Sequence, residues 1–92
     1  MAKTIAMRVV TNEGEAIADD AMSIRAPGEL GYVGFLYNHA PLVTTLRPGT
    51  LTWRRPNGEH RAVIVGGGLL EIAKNHLTVL TDTVSEPTAH TH

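Results

Sequence analysis

Apolar and polar residues alternate with a period of two along much of this chain, the spacing of strands that bury one face. Met22, Ile24 and Ala26 alternate with Ser23 and Arg25, and Leu51 and Trp53 alternate with Thr50, Thr52 and Arg54. Over Glu59–Val65, the residues His60, Ala62 and Ile64 share one face and Arg61, Val63 and Val65 the other. Met7–Thr11, Val33–Tyr37 and Leu42–Leu46 read as further short strands. Leu69–Ala73 and Leu77–Thr83 read as a closing hairpin across Lys74-Asn75-His76. No stretch of about ten residues carries a convincing helical period. Ala16–Ala21 has the length of one helical turn, against the strands expected on either side.

Turn chemistry punctuates these strands. Asn12-Glu13-Gly14-Glu15 is a polar turn, and Pro27-Gly28 is expected to end a strand. Arg55-Pro56-Asn57-Gly58 is a hairpin signal, because Asn-Gly supplies the positive φ angles of a tight primed turn. Many short strands with no repeat and no linker predict one all-β antiparallel domain, a sandwich or a barrel, over residues 1–86. The apolar pattern is lost from Ser85 onward, and residues 87–92 are expected to form a flexible tail.

Composition narrows the function classes. A chain of 92 residues is one small domain of modest stability, and 42% apolar residues suit a folded globule. A formal net charge of -1 gives no electrostatic case for nucleic acid or an anionic membrane. With no cysteine, disulfide scaffolds and thiolate metal sites are excluded, which fits a reducing compartment. Nothing approaches the ~20 apolar residues of a spanning helix, and Met1-Ala2-Lys3-Thr4 opens no signal peptide. Work at a membrane would require a partner to hold the chain there, without direct insertion.

Candidate chemistry is sparse. His39, His60 and His76 sit on separate segments without the close pairing of metal ligands, and His90-x-His92 lies in the expected tail. Gly66-Gly67-Gly68 is followed by a strand, whereas a phosphate cradle needs a helix there. The triplet is therefore read as a bulge or a close approach of another backbone. Ser23 and Ser85 lie on no activating turn, and Asp19-Asp20 are expected to be solvated in a polar turn. No catalytic residue, metal or cofactor is assigned. A rival reading is an OB-like or free-standing binding module, with Trp53 among Arg54, Arg55 and Arg61 as a weak nucleic-acid footprint.

Several motifs in a fixed order carry more information. Arg8-Val9-Val10-Thr11 comes first, then Gly31-x-x-Gly34 and Asn38-His39-Ala40-Pro41-Leu42. Leu46-Arg47-Pro48-Gly49 follows, then Gly67-Gly68-x-Leu70-Glu71-Ile72 and Leu77-Thr78-Val79-Leu80-Thr81-Asp82-Thr83. From Met7 to Glu86 this order resembles the N-terminal β-domain of the ε subunit of F-type ATP synthases, the δ subunit in mitochondrial naming. The resemblance implies a flattened antiparallel β-sandwich of about ten short strands. It implies a non-catalytic central-stalk subunit that packs on the γ subunit, rests on the polar loops of the membrane c-ring and serves the α/β head indirectly. Such a subunit is peripheral, on the cytoplasmic side of a bacterial membrane or the equivalent organelle face.

Carried over by position, Thr11, His39, Ala40, Pro41 and Thr44 fall toward γ. Pro41 suits an exposed edge, since it fixes φ and removes a donor. The family's c-ring contact falls on Tyr32 by alignment through His39, while the literal Gly28-Glu29-Leu30-Gly31 places Glu29 nearby. Both remain candidates. Family members also continue into a C-terminal helical hairpin that can inhibit hydrolysis. No such sequence follows Pro87, so hairpin inhibition is not expected of this chain.

Overall fold

The computed structural model describes residues 3–87. Ten strands form: β1 (Ile5–Thr11), β2 (Gly14–Ala21), β3 (Ser23–Gly28), β4 (Gly31–Leu36), β5 (Leu42–Leu46), β6 (Gly49–Arg54), β7 (His60–Val65), β8 (Gly68–Ala73), β9 (His76–Thr81) and β10 (Val84–Ser85). They share one hydrogen-bonded sheet in the order β10-β7-β6-β3-β5-β8-β9-β1-β2, with β4 on the other side of β3. The sheet folds over at β3. That strand pairs with β6 along Ser23–Arg25 and meets β5 only at Gly28, opposite Leu46. One layer is β5-β8-β9-β1-β2 and the other β4-β3-β6-β7-β10, and the inner faces form a single core.

β3 ends with Pro27-Gly28, as the sequence suggested, and Pro27 is still within the strand. It is buried, and its carbonyl accepts the Arg47 N–H at 2.8 Å on the β5 side. A residue with no N–H leaves no orphan donor where a strand changes partners. All pairs are antiparallel except β1 with β9, which run parallel with Val9 beside Val79. A parallel pair needs a long connection, and here the intervening strands supply it.

The period-2 pattern sorts side chains as expected. Met7, Leu77 and Ile72 form one inward row, and Val9, Val79 and Leu70 the next. Each such side chain contributes about 1.5–3 kcal/mol by leaving water. Ile24, Ala26, Leu51, Trp53, Val63 and Val65 close the core from the opposite layer.

Several sequence expectations are corrected. Ala16–Ala21 belongs to β2, where Ala16 is the extra residue of a bulge between the Val9–Ile17 and Val10–Glu15 pairs. A ladder with β1 satisfies backbone groups that a single helical turn would leave open. The primed turn is not at Asn57-Gly58. There, Gly58 has φ 90° and its N–H donates to the Arg55 carbonyl at 2.8 Å. Pro56 presets the second position of this ordinary turn, and Gly58 takes the left-handed position after it. The tight two-residue turn is instead Lys74-Asn75, with φ 52° and 63° between the paired Ala73 and His76. His76 therefore begins β9 rather than sitting in the turn. Ser85, where the apolar pattern is lost, still pairs with Ile64 in β10, because β7 offers an open edge. His90 and His92 lie outside the described residues.

The glycine triplet is a close backbone approach, as its sequence suggested. Gly68 has φ 141°, and a Cβ there would stand 1.9 Å from the Leu80 carbonyl oxygen.

Asp19 is also corrected. It lies in β2, and its carboxylate accepts from the Trp53 indole N–H at 2.9 Å and from Arg55 Nε at 3.0 Å. Arg55 also donates to Glu59 at 3.0 Å. Since β2 and β6 belong to different layers, this contact clasps the layers together across the fold. Burial pushes the Asp19 carboxyl up. The Trp53 N–H, the Asp20 backbone N–H and the Arg55 charge outweigh burial and hold it below its ordinary value.

Asp19→Ala removes the indole's acceptor and is expected to cost about 1–3 kcal/mol in urea unfolding. A depressed folded value means the ionised carboxylate's stabilisation is present above the unfolded aspartate's titration and lost as pH falls through the lower folded value. The gap between the native chain and Asp19→Ala should therefore narrow in acid; a pH-independent gap would contradict the ionic part of the clasp. Gly68→Ala should destabilise by more than about 1 kcal/mol, through both the clash and the positive φ.

Candidate docking interface

The β5-β8-β9-β1-β2 layer has two ends and one outer face. At the first end, the β4–β5 loop meets the β8–β9 turn. Asn38 and Asn75 both adopt positive φ, which asparagine tolerates better than most residues. The Asn38 N–H donates to Asn75 Oδ1 at 2.6 Å, and Asn75 Nδ2 donates to Asn38 Oδ1 at 3.1 Å. The Asn75 carbonyl accepts the Ala6 N–H at 2.9 Å, which ties the cluster to β1. His39 follows in the loop, half-buried, its ring tilted 60° against Phe35 with centroids 4.9 Å apart. Its Nδ1 lies 2.7 Å from the Ala40 carbonyl oxygen, a contact that requires the proton on that nitrogen. Ala40 and Pro41 are exposed beside it.

Thr11 lies at the other end, about 16 Å along β1 from Ala6. Its hydroxyl oxygen accepts the Glu13 N–H at 3.1 Å and so braces the β1–β2 turn. The β3–β4 hairpin tip is at this end too. There Glu29 accepts from the Thr45 hydroxyl, and Leu30 is fully exposed. Tyr32 is engaged internally, its hydroxyl oxygen accepting the Thr50 N–H at 3.2 Å and its ring 4.6 Å under the Arg25 guanidinium. Thr44 faces inward opposite Leu70, half-buried. The candidate residues thus gather as His39-Ala40-Pro41 at one end and Thr11 with Glu29 at the other, and Thr44 joins neither group.

An apolar strip lies on the outer face between these ends. Register aligns Thr45, Leu69, Leu80 and Val10 across four strands. Val43, Leu69 and Leu80 are 65%, 45% and 49% exposed. With Glu71 and Thr78 they line a shallow groove of about 210 Å³. The Arg8–Glu15 ion pair, 2.7 Å long, borders the strip. None of these three apolar residues was among the candidates, yet the sequence carried the signal. Leu42-Val43, Leu69-Leu70 and Val79-Leu80 are apolar doublets that break strict alternation, as strands apolar on both faces must.

A concavity of about 460 Å³ lies on the opposite layer. Ser23, Arg25, Arg54 and His60 are among its lining residues, and no carboxylate is. His39, His60 and His76 fall on the β4–β5 loop, β7 and β9. The nucleic-acid footprint dissolves, because Trp53 is buried with its indole on Asp19 and Arg55 is held by Asp19 and Glu59.

Comparison with known proteins agrees with the fold. Residues 4–87 match the family model of the ATP synthase Delta/Epsilon chain beta-sandwich domain. The chain belongs to that family. It is 47% identical over 89 residues to the ATP synthase epsilon chain of Acidithiobacillus ferridurans, spanning 96% of this chain and 62% of that protein. It is 39% identical over 83 residues to ATP synthase epsilon chain 2 of Burkholderia orbicola strain AU 1054, spanning 89% of this chain and 55% of that one. This family member thus spans little more than half the length of such relatives. Among solved structures, a chain of the Euglena gracilis mitochondrial ATP synthase (OSCP/F1/c-ring) superposes with a TM-score of 0.85 at 17% identity, over 94% of this chain and 55% of that one. A chain of the Tetrahymena thermophila mitochondrial ATP synthase central stalk and c-ring gives 0.73 at 18% identity, over 92% and 67%. These two likenesses concern the sandwich fold alone.

The asparagine pair yields a direct test. Asn75→Gly retains the positive φ of the turn but removes the side-chain clasp. It should cost about 0.5–1.5 kcal/mol and speed hydrogen exchange at the Asn38 amide. Unchanged exchange would mean that the β4–β5 loop is held without it.

Proposed function

We propose that this chain is the sandwich of an ε-type rotor subunit of an F-type ATP synthase, itself non-catalytic. Its outer β5-β8-β9-β1 face docks on the γ subunit, and its β3–β4 hairpin tip rests on the polar loops of the c-ring. The observation that carries the reading is the exposed row of Val43, Leu69 and Leu80 on an otherwise ordered layer. Apolar area of this kind is stabilised by a partner rather than by water. Thr11 sits at one margin of the face and His39, Ala40 and Pro41 at the other, as rim positions. Thr44 acts from beneath by supporting the sheet.

For the c-ring contact, Glu29 and Leu30 are the better pair. They stand at the hairpin tip, while Tyr32 is occupied by Arg25 and Thr50 and serves as their buttress. A rotor adapter carries torque, and a close-packed two-layer core clasped at Asp19 suits a body that transmits load without deforming. The chain acts peripherally, on the cytoplasmic side of a bacterial membrane or the equivalent organelle face. There it couples ion flow through the c-ring to ATP synthesis or hydrolysis in the α/β head.

Leu80→Asp is expected to weaken co-elution with the γ subunit of the same organism at least about tenfold. Its effect on the melting of the free chain should stay within about 0.5 kcal/mol, as for other exposed sites. Ile64→Asp, on the opposite layer, should leave co-elution unchanged. Loss of binding with Ile64→Asp but not with Leu80→Asp would reverse the docking face.

A further inference from the structure

Beside the β7 edge, which the two-residue β10 covers in part, the sheet leaves the edges of β2 and β4, and these two are treated differently. β2 carries exposed Glu15 and Asp20 and is broken by the bulge at Ala16. Charge and bulges are the means by which edges avoid pairing with other chains. The open side of β4 has neither. Its sequence, Gly31-Tyr32-Val33-Gly34-Phe35-Leu36, contains no charge and no proline, and its register with β3 is unbroken. Tyr32 and Leu36 are 49% and 65% exposed on it.

Backbone direction on β4 follows from β3. Pro27 turns its carbonyl toward Arg47, away from β4, so the alternation of an antiparallel ladder turns Tyr32, its partner on β4, toward the open side. Gly34 and Leu36 follow at every second residue. The Leu36 carbonyl already accepts the His39 N–H at 3.1 Å. Among the described residues, no strand pairs with this side of β4.

We propose that the free chain pairs with a second copy of itself, β4 to β4, antiparallel about a two-fold axis at Gly34. In this register Gly34 exchanges backbone hydrogen bonds with Gly34 of the second copy, and Tyr32 lies opposite Leu36 of the second copy. The backbone ladder holds this pair, with the exposed Leu36 side chain beside the seam, while the Tyr32 ring stays on Arg25 and Thr50. The arrangement is isologous, so it closes as a dimer and does not propagate. Gly34 on the axis lets the two sheets approach without a side chain between them. The strand itself carries no charge, and Arg25, the β3 partner of Gly34, stands one strand back from the axis with its guanidinium over Tyr32. An extended strand from another protein would use the same groups, but self-pairing needs only what this chain supplies. The inference is independent of the rotor reading, since its test contains no other subunit.

The test is light scattering after size-exclusion chromatography, from micromolar to near-millimolar chain. A Cβ at Gly34 meets no atom within 4 Å, so Gly34→Lys and Gly34→Glu should keep the monomer fold, which circular dichroism checks. The native chain should dimerise with rising concentration. Each variant alone should self-associate at least about tenfold more weakly, because like charges would meet on the axis. An equimolar mixture of the two variants should recover the dimer. Val43→Asp, on the far layer, should have no effect. A native chain that stays monomeric throughout would overturn the proposal. So would a dimer indifferent to charge at Gly34, or a mixture that stays monomeric.

Discussion

β3 must satisfy its backbone hydrogen bonds in both layers, and Pro27 is where it changes partner. The first half of the strand is held by β6, and its end by β5 and the Arg47 amide. An ordinary residue at position 27 would bring a buried N–H to a point where the ladder is interrupted. Proline removes that donor and leaves only a carbonyl to satisfy. The fold-over of a single sheet, the enclosure of one core and the placing of the β3–β4 hairpin all depend on this local solution.

What the fold presents outward follows from how it is held together. The core uses the inner faces of both layers. The Asp19–Trp53–Arg55 contact fastens β2 to β6, and the Asn38–Asn75 pair fastens the β4–β5 loop to the β8–β9 turn. With its margins pinned, the outer face of the β5-β8-β9-β1 strands is a stiff surface bearing an apolar strip. A stiff surface suits docking, because little conformational freedom remains to be lost on binding.

Much of this was legible in the sequence, and the exceptions have physical reasons. Strands with one wet face, such as β3 and β6, alternate cleanly and were placed within a few residues. β2 was missed because an edge strand carries charge, and Glu15, Asp19 and Asp20 look like a loop when read locally. The partners of Asp19 lie 34 and 36 residues away, beyond any local pattern. Asn57-Gly58 suggested a primed turn, but Pro56 preset a different one, and Lys74-Asn75 took the left-handed angles instead. His39-Ala40-Pro41 was nominated through its motif, and the structure places it in the β4–β5 loop at one end of the layer. Val43, Leu69 and Leu80 were missed because each sits beside a buried apolar neighbour and was counted with the core.

A contact map in the assembled enzyme tests the proposed docking of the outer strip on the γ subunit most directly. A short-range photo-crosslinker would be placed at position 80 on the outer strip, and separately at position 62 on the opposite layer, in a rotor reconstituted from the same organism's subunits. Crosslinks to γ from position 80, with none from position 62, are the expected result. Crosslinks to γ from position 62 alone would contradict the docking face and, with it, the reading of the apolar strip.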